Sequence, residues 1–148
     1  MLTIRAIQSE DRMHWETLYF KYLTFYKTML SEQQMTTLWN WFFDADKKIY
    51  CYLAINEAHV VGLVHFREFL RPIKASMGIF MDDLFIEDAF RGHGIAQRLI
   101  ESVEDFARQR DISTIRWITG DDNYDAMRVY NKMAARTQWV TYDLAVKA

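Results

Sequence analysis

Two neighbouring stretches hold residue types that can do chemistry. Asp82 and Asp83 stand side by side, and Leu84-Phe85-Ile86 carries on as the end of an apolar strand. The turn Phe90-Arg91-Gly92-His93-Gly94 follows, and Ile95, Leu99, Ile100, Val103, Phe106 and Ala107 then recur at helical spacing. Glycine tolerates positive φ and lets a ligand approach the backbone. The first amides of a helix lack intrahelical partners, and together with the helix dipole they favour an anion. A strand, a glycine turn and a helix in this order can hold a pyrophosphate without a metal. The bland alternative is a glycine turn that only starts a helix.

Spacing sets two phosphate-binding classes aside. A P-loop needs GxxxxGK[ST], and no such Lys-Ser or Lys-Thr pair follows these glycines. The dinucleotide fingerprint needs a third glycine and the first strand, and Gly92-x-Gly94 has neither. The single cysteine, Cys51, lies in the apolar run IYCYLA and reads as a small core residue. His14, His59, His65 and His93 are scattered without metal-ligand spacing, so each reads as structural or solvated and no metal is expected.

Composition narrows the partners. The formal net charge is -2 and no Lys/Arg-rich run occurs, which argues against a nucleic-acid partner. Charges enter too early for a signal peptide, and no apolar run is long enough to cross a membrane. The expectation is a cytoplasmic protein without a membrane partner. A length of 148 residues fits one domain over 1–148.

Around the two stretches the elements follow from periodicity. Leu2–Ile7 alternates as a short strand. Trp15, Leu18, Tyr19, Tyr22, Leu23 and Tyr26 form the apolar stripe of a helix that begins after Ser9. Ser31 with Gln34 predicts a capping box opening a second helix, whose apolar face holds Met35, Leu38, Trp39 and Phe42. Ile49–Ile55 and His59–Phe66 read as a hairpin, and Ser76–Ile86 as a longer strand. After the glycine turn and its helix come a strand over Ser113–Thr119, a short helix over Asn123–Ala134, and a last strand over Gln138–Val146. Strand, helix and strand around 84–119 imply a parallel crossover in an otherwise antiparallel sheet, an α/β domain with helices on both faces.

Arg91-Gly92-His93-Gly94-Ile95-Ala96 resembles the R/Q-x-x-G-x-G/A acetyl-CoA signature of the GNAT acetyltransferases. Asp83-Leu84-Phe85-Ile86 is similar to that family's preceding strand, and Asn123-x-x-Ala126-x-x-x-Tyr130 to its later helix. The C-terminal half, with Trp117-Ile118-Thr119 and Trp139-Val140-Thr141-Tyr142, looks most like the small diamine and histone/polyamine acetyltransferases. Met133-Ala134-Ala135 departs from the Gly-containing ending of many members.

The resemblance implies a GNAT fold, with a mixed central sheet of six to seven strands flanked by about four helices. It implies acetyl transfer from acetyl-CoA, used as co-substrate, to a primary amine by direct attack in a ternary complex. The acceptor would be a polyamine, a protein lysine or a small amino compound. Cofactor contacts would come from Leu84, Phe85, Ile86, Arg91, Gly92, His93, Gly94, Ile95, Ala96, Asn123 and Tyr130. A backbone N–H near Leu84 would meet the oxyanion. Tyr130 would protonate the leaving thiolate, since a phenol of pKa about 10 arrives protonated at neutral pH. Asp82 or Asp83 would serve as base, and Asp82 is the one that aligns with the family glutamate. Adjacent strand residues point to opposite faces, so only one of the pair is expected to meet the amine. Tyr19, Tyr22, Tyr26 and Trp39 are candidates for an aromatic wall around a cation, with core packing as the alternative. Two other readings stay open: a non-catalytic acyl-CoA-binding or sensing module, and a scaffold or interaction domain using the C-terminal strand Gln138–Leu144, which could pair across a two-fold axis as a homodimer.

Overall fold

The computed structural model describes residues 1–148, which form two compact units, Met1–Ile118 and Thr119–Ala148. The first unit holds a five-stranded sheet in the order β1-β2-β3-β4-β5. Its strands are β1 (Leu2–Ala6), β2 (Ile49–Asn56), β3 (His59–Arg71), β4 (Ser76–Ile86) and β5 (Ile115–Trp117). The first four pair antiparallel and β4 pairs parallel to β5, so the expected crossover is present, carried by α3 (Ile95–Gln109).

The period-2 alternation of β2 and β3 builds two cores. Cys51, Leu53 and Leu63 face α1 (Arg12–Phe25) and join Trp15, Leu18 and Leu23 in one cluster, against which α2 (Glu32–Trp41) also packs. Tyr50, Tyr52 and Phe66 face the other way and meet Phe106 of α3, with ring centroids 4.6, 6.4 and 5.0 Å away. The capping box of α2 forms as the spacing predicts. Gln34 N donates to Ser31 Oγ at 3.1 Å, and Ser31 N donates to Gln34 Oε1 at 2.8 Å.

Two expectations are corrected. The sheet has five strands rather than six or seven. The last strand expected over Gln138–Val146 does not form, and residues 135–148 carry no helix or strand. β-propensity is realised only against a partner edge, because an isolated strand leaves its backbone groups unpaired. The second unit has one helix, α4 (Tyr124–Met133), preceded by Asn123.

Candidate active site

The site is built around an irregularity in β4. His65 lies opposite Asp83 and Phe66 lies opposite Met81, so Asp82 is the extra residue of a β-bulge. A bulge breaks strict alternation and re-aims side chains. Asp82 and Asp83 therefore line the same cavity, correcting the expectation that a regular strand would send them to opposite faces. The cavity holds about 440 Å3, and its walls include Tyr19, Leu38, Trp41, His65 and Arg67.

The two carboxylates have different company. Asp82 meets Arg67, whose Nε lies 3.0 and 3.2 Å from its two oxygens. Burial outweighs that contact and holds the Asp82 carboxyl above its usual range, helped by the charge of Asp83. Asp83 Oδ2 lies 2.7 Å from His65 Nδ1 and accepts from the Tyr19 hydroxyl at 3.1 Å. Burial pushes Asp83 up as well, but bonds from His65, Tyr22 and Tyr19 more than offset it and hold the group below its usual range. The same burial, with the Asp83 charge, pushes the Tyr19 and Tyr22 phenols up, so both remain donors.

Of the proposed aromatic wall, Tyr19 lines the cavity. Tyr22 is half-buried and stacks on Tyr19 at 5.4 Å, while Tyr26 is largely exposed beside Tyr22. Trp39 is 8% exposed and packs against Trp15 in the core, and the tryptophan of the cavity is Trp41. His65 and Arg67 escaped the sequence reading. Their only signal was their place on the strand before the Asp pair, and register is a long-range property. Cys51 is buried, which pushes its thiol far above the usual value, and it has no place in the chemistry.

Beyond the bulge, β4 opens. Its parallel ladder to β5 covers only Ile79–Met81, while Asp83, Leu84, Phe85 and Ile86 pair with β3 alone. This stretch leads into the glycine turn, where Gly92 and Gly94 adopt φ of +79° and +76°. A Cβ built at either glycine would meet nothing within 4 Å, so both face open space. Gly94 precedes Ile95 and Ala96 at the start of α3, and no side chain caps that helix start. The uncapped amides and the open turn fit a pyrophosphate. Arg91 stands at the turn. Its Nε donates to Ile86 O at 3.1 Å and its guanidinium pairs with Asp88, so the side chain ties the turn to the strand end. His93 Nδ1 lies 3.0 Å from Phe90 O within the same turn. In the second unit, Asn123 Nδ2 donates to Thr119 Oγ1 at 3.2 Å ahead of α4, which carries Tyr130.

Comparison with known proteins gives a consistent picture. The family model described as acetyltransferase (GNAT) family matches residues 13–135. A D-amino-acid N-acetyltransferase of Saccharomyces cerevisiae is 27% identical over 95% of this chain and 89% of its own length. The aminoglycoside acetyltransferase AAC(6')-Iy, solved with a CoA bisubstrate analogue, superposes with a TM-score of 0.88 at 16% identity, covering 99% of both chains. A ribosomal-protein-alanine N-acetyltransferase of Brucella melitensis biovar Abortus 2308 superposes with a TM-score of 0.81 at 20% identity, covering 99% of both chains.

Proposed function

The chain belongs to the acetyltransferase (GNAT) family, as an acetyl-CoA-dependent N-acetyltransferase, and on that premise we propose that it acetylates the primary amine of a small amino compound. The observation that carries the reading is the bulged Asp82-Asp83 pair in an aromatic-walled cavity, beside an open strand that runs into the glycine turn. The yeast relative named for D-amino acids supports a small amine over a protein lysine or a polyamine.

The cofactor supplies an activated acetyl thioester, and the residues of this chain supply the rest. Amides of Gly92, His93, Gly94, Ile95 and Ala96 would hold the pyrophosphate. Backbone groups of Leu84, Phe85 and Ile86, which pair with β3 alone, would hold the pantetheine, and the N–H near Leu84 would stabilise negative charge on the acetyl oxygen. One pre-placed donor of this kind lowers a barrier by about 3 kcal/mol. An alkylammonium of pKa about 10.4 must lose a proton before it attacks. Asp82 takes that proton, directly or through a water, because its environment already favours the protonated form. Asp83 stays ionised and anchors the ammonium. Tyr130 protonates the departing thiolate, and Asn123 steadies the start of the helix that carries it. Attack would be direct, in a ternary complex: the N–C bond forms as the C–S bond breaks, the thiolate takes the Tyr130 proton, and the second proton shed by the nitrogen restores Tyr130.

The test is acetyl-CoA-dependent thiol release against amino acids, polyamines, aminoglycosides and a lysine peptide. Turnover is expected with a small amino compound, and Tyr130→Phe is expected to lower kcat by roughly a hundredfold or more while acetyl-CoA still binds. Equal turnover by Tyr130→Phe removes the tyrosine from the reaction. Turnover confined to the peptide removes the small-amine reading.

A further inference from the structure

The acceptor site proposed above has a third layer behind its carboxylates. Trp15 of α1 is wholly buried, and its indole Nε1–H points at His65 Nε2 at 3.0 Å. An indole nitrogen only donates. His65 Nε2 must therefore accept, which puts the imidazole proton on Nδ1. Nδ1 lies 2.7 Å from Asp83 Oδ2, so that proton is donated to the carboxylate. Both imidazole nitrogens are spent. Although His65 lines the cavity, it has no lone pair to offer a substrate proton. The Tyr19 hydroxyl donates to the same Asp83 oxygen, and Tyr19 also stacks on Trp15 at 5.7 Å.

We propose that Trp15 is a positioning residue for amine binding: its indole N–H fixes the Nδ1–H tautomer of His65, and that tautomer aims Asp83 into the cavity as an anion. The inference rests on the amine-acceptor reading above and goes beyond it. It removes His65 from the candidate bases and assigns the orientation of the anchoring carboxylate to a residue outside the cavity lining. Without the indole N–H, Nε2 has no donor to hold it and the imidazole ring is free to rotate. Nδ1–H then no longer points at Asp83, and the carboxylate loses a donor and turns.

Trp15→Phe removes the N–H and keeps an aromatic ring against Tyr19, Trp39 and Phe42, and the double variant below separates the N–H from the lost volume. Imidazole 15N spectra of the full chain at neutral pH are expected to show a single tautomer, with Nδ1 protonated and Nε2 bare. In Trp15→Phe that single tautomer is expected to be lost. The KM for the amine should rise about tenfold, as for a lost hydrogen bond to a charged group, with the KM for acetyl-CoA unchanged. His65→Asn offers the carboxylate a fixed amide donor, so adding Trp15→Phe to it should raise the amine KM no further. A protonated Nε2 in the wild type overturns the proposal whether or not the variants fold. Penalties that add in the double variant, or that move both KM values together, also overturn it and mark Trp15 as packing alone. A wild type that acetylates no amine defeats the amine reading instead, and the imidazole spectrum still decides the tautomer.

Discussion

Asp82 and Asp83 are the same side chain one residue apart, and their surroundings drive them in opposite directions. Asp82 is desolvated against a single cation, Arg67, and its carboxyl is raised. Asp83 receives His65, Tyr22 and Tyr19, and its carboxyl is lowered. When the environment separates two acids in this way, it assigns them different roles. The signs make the assignment testable. A raised acid binds its proton more tightly when folded, so ionising Asp82 costs stability as pH climbs through its folded value. Asp82→Asn should therefore keep the thermal midpoint at neutral pH. It should lower kcat by about 100-fold or more, and remove an acidic limb of kcat/KM that lies above the ordinary carboxylate range. A lowered acid adds stability that is complete above its unfolded value and lost as pH falls through its folded one. Asp83→Asn should therefore destabilise the fold at neutral pH by about 1–3 kcal/mol, since it removes the charge to which His65 and Tyr19 donate at Oδ2. Urea melts and pH–rate profiles of the two variants check the assignment. A stable Asp83→Asn or an unchanged acidic limb in Asp82→Asn would reverse it.

At the scale of elements, the signals that were legible were local. The capping box Ser31/Gln34, the 3.6-residue period of α3 and the glycine turn each depend on a few neighbouring residues, and each formed where the sequence placed it. The bulge at Asp82 was not legible, because it is a mismatch between the counts on β3 and β4, and neither strand shows it alone. The same blindness hid His65 and Arg67, whose importance comes from standing across from the Asp pair. β3 also runs on to Arg71, past the expected end at Phe66, because its outer half pairs with Ser76–Met81 across the short turn at Pro72. The glycine turn gives the test at this scale. Gly94 holds φ +76° with open space where a Cβ would sit, so Gly94→Ala meets no clash and is opposed by backbone strain alone. That strain should cost about 1 kcal/mol or more and re-aim the first amides of α3. The expected reading is a several-fold weaker acetyl-CoA affinity by calorimetry, with the amine KM unchanged. An unchanged affinity would mean that the turn does not cradle the cofactor.

At the scale of the whole molecule, the unexplained feature is the C-terminal segment. Trp139, Val140, Tyr142, Leu144 and Val146 are 73–92% exposed, and an apolar surface of this kind is a mark of an interaction site. Val140, Tyr142, Leu144 and Val146 fall at every second position, the period of a strand with one apolar face. A strand needs a neighbouring edge to satisfy its backbone, and a homodimer would supply one from the second copy. We therefore expect the protein to sediment as a dimer at micromolar concentration, and a chain ending at Arg136 to sediment as a monomer. Amide exchange should show protection across Val140–Val146 in the full chain, fading on dilution in step with dissociation. A sequence-level strand that forms only in the dimer would explain both its β-like pattern and its lack of regular structure in the single chain. A full-length chain that stays monomeric, with those amides exchanging freely, would leave the exposed segment for a different partner.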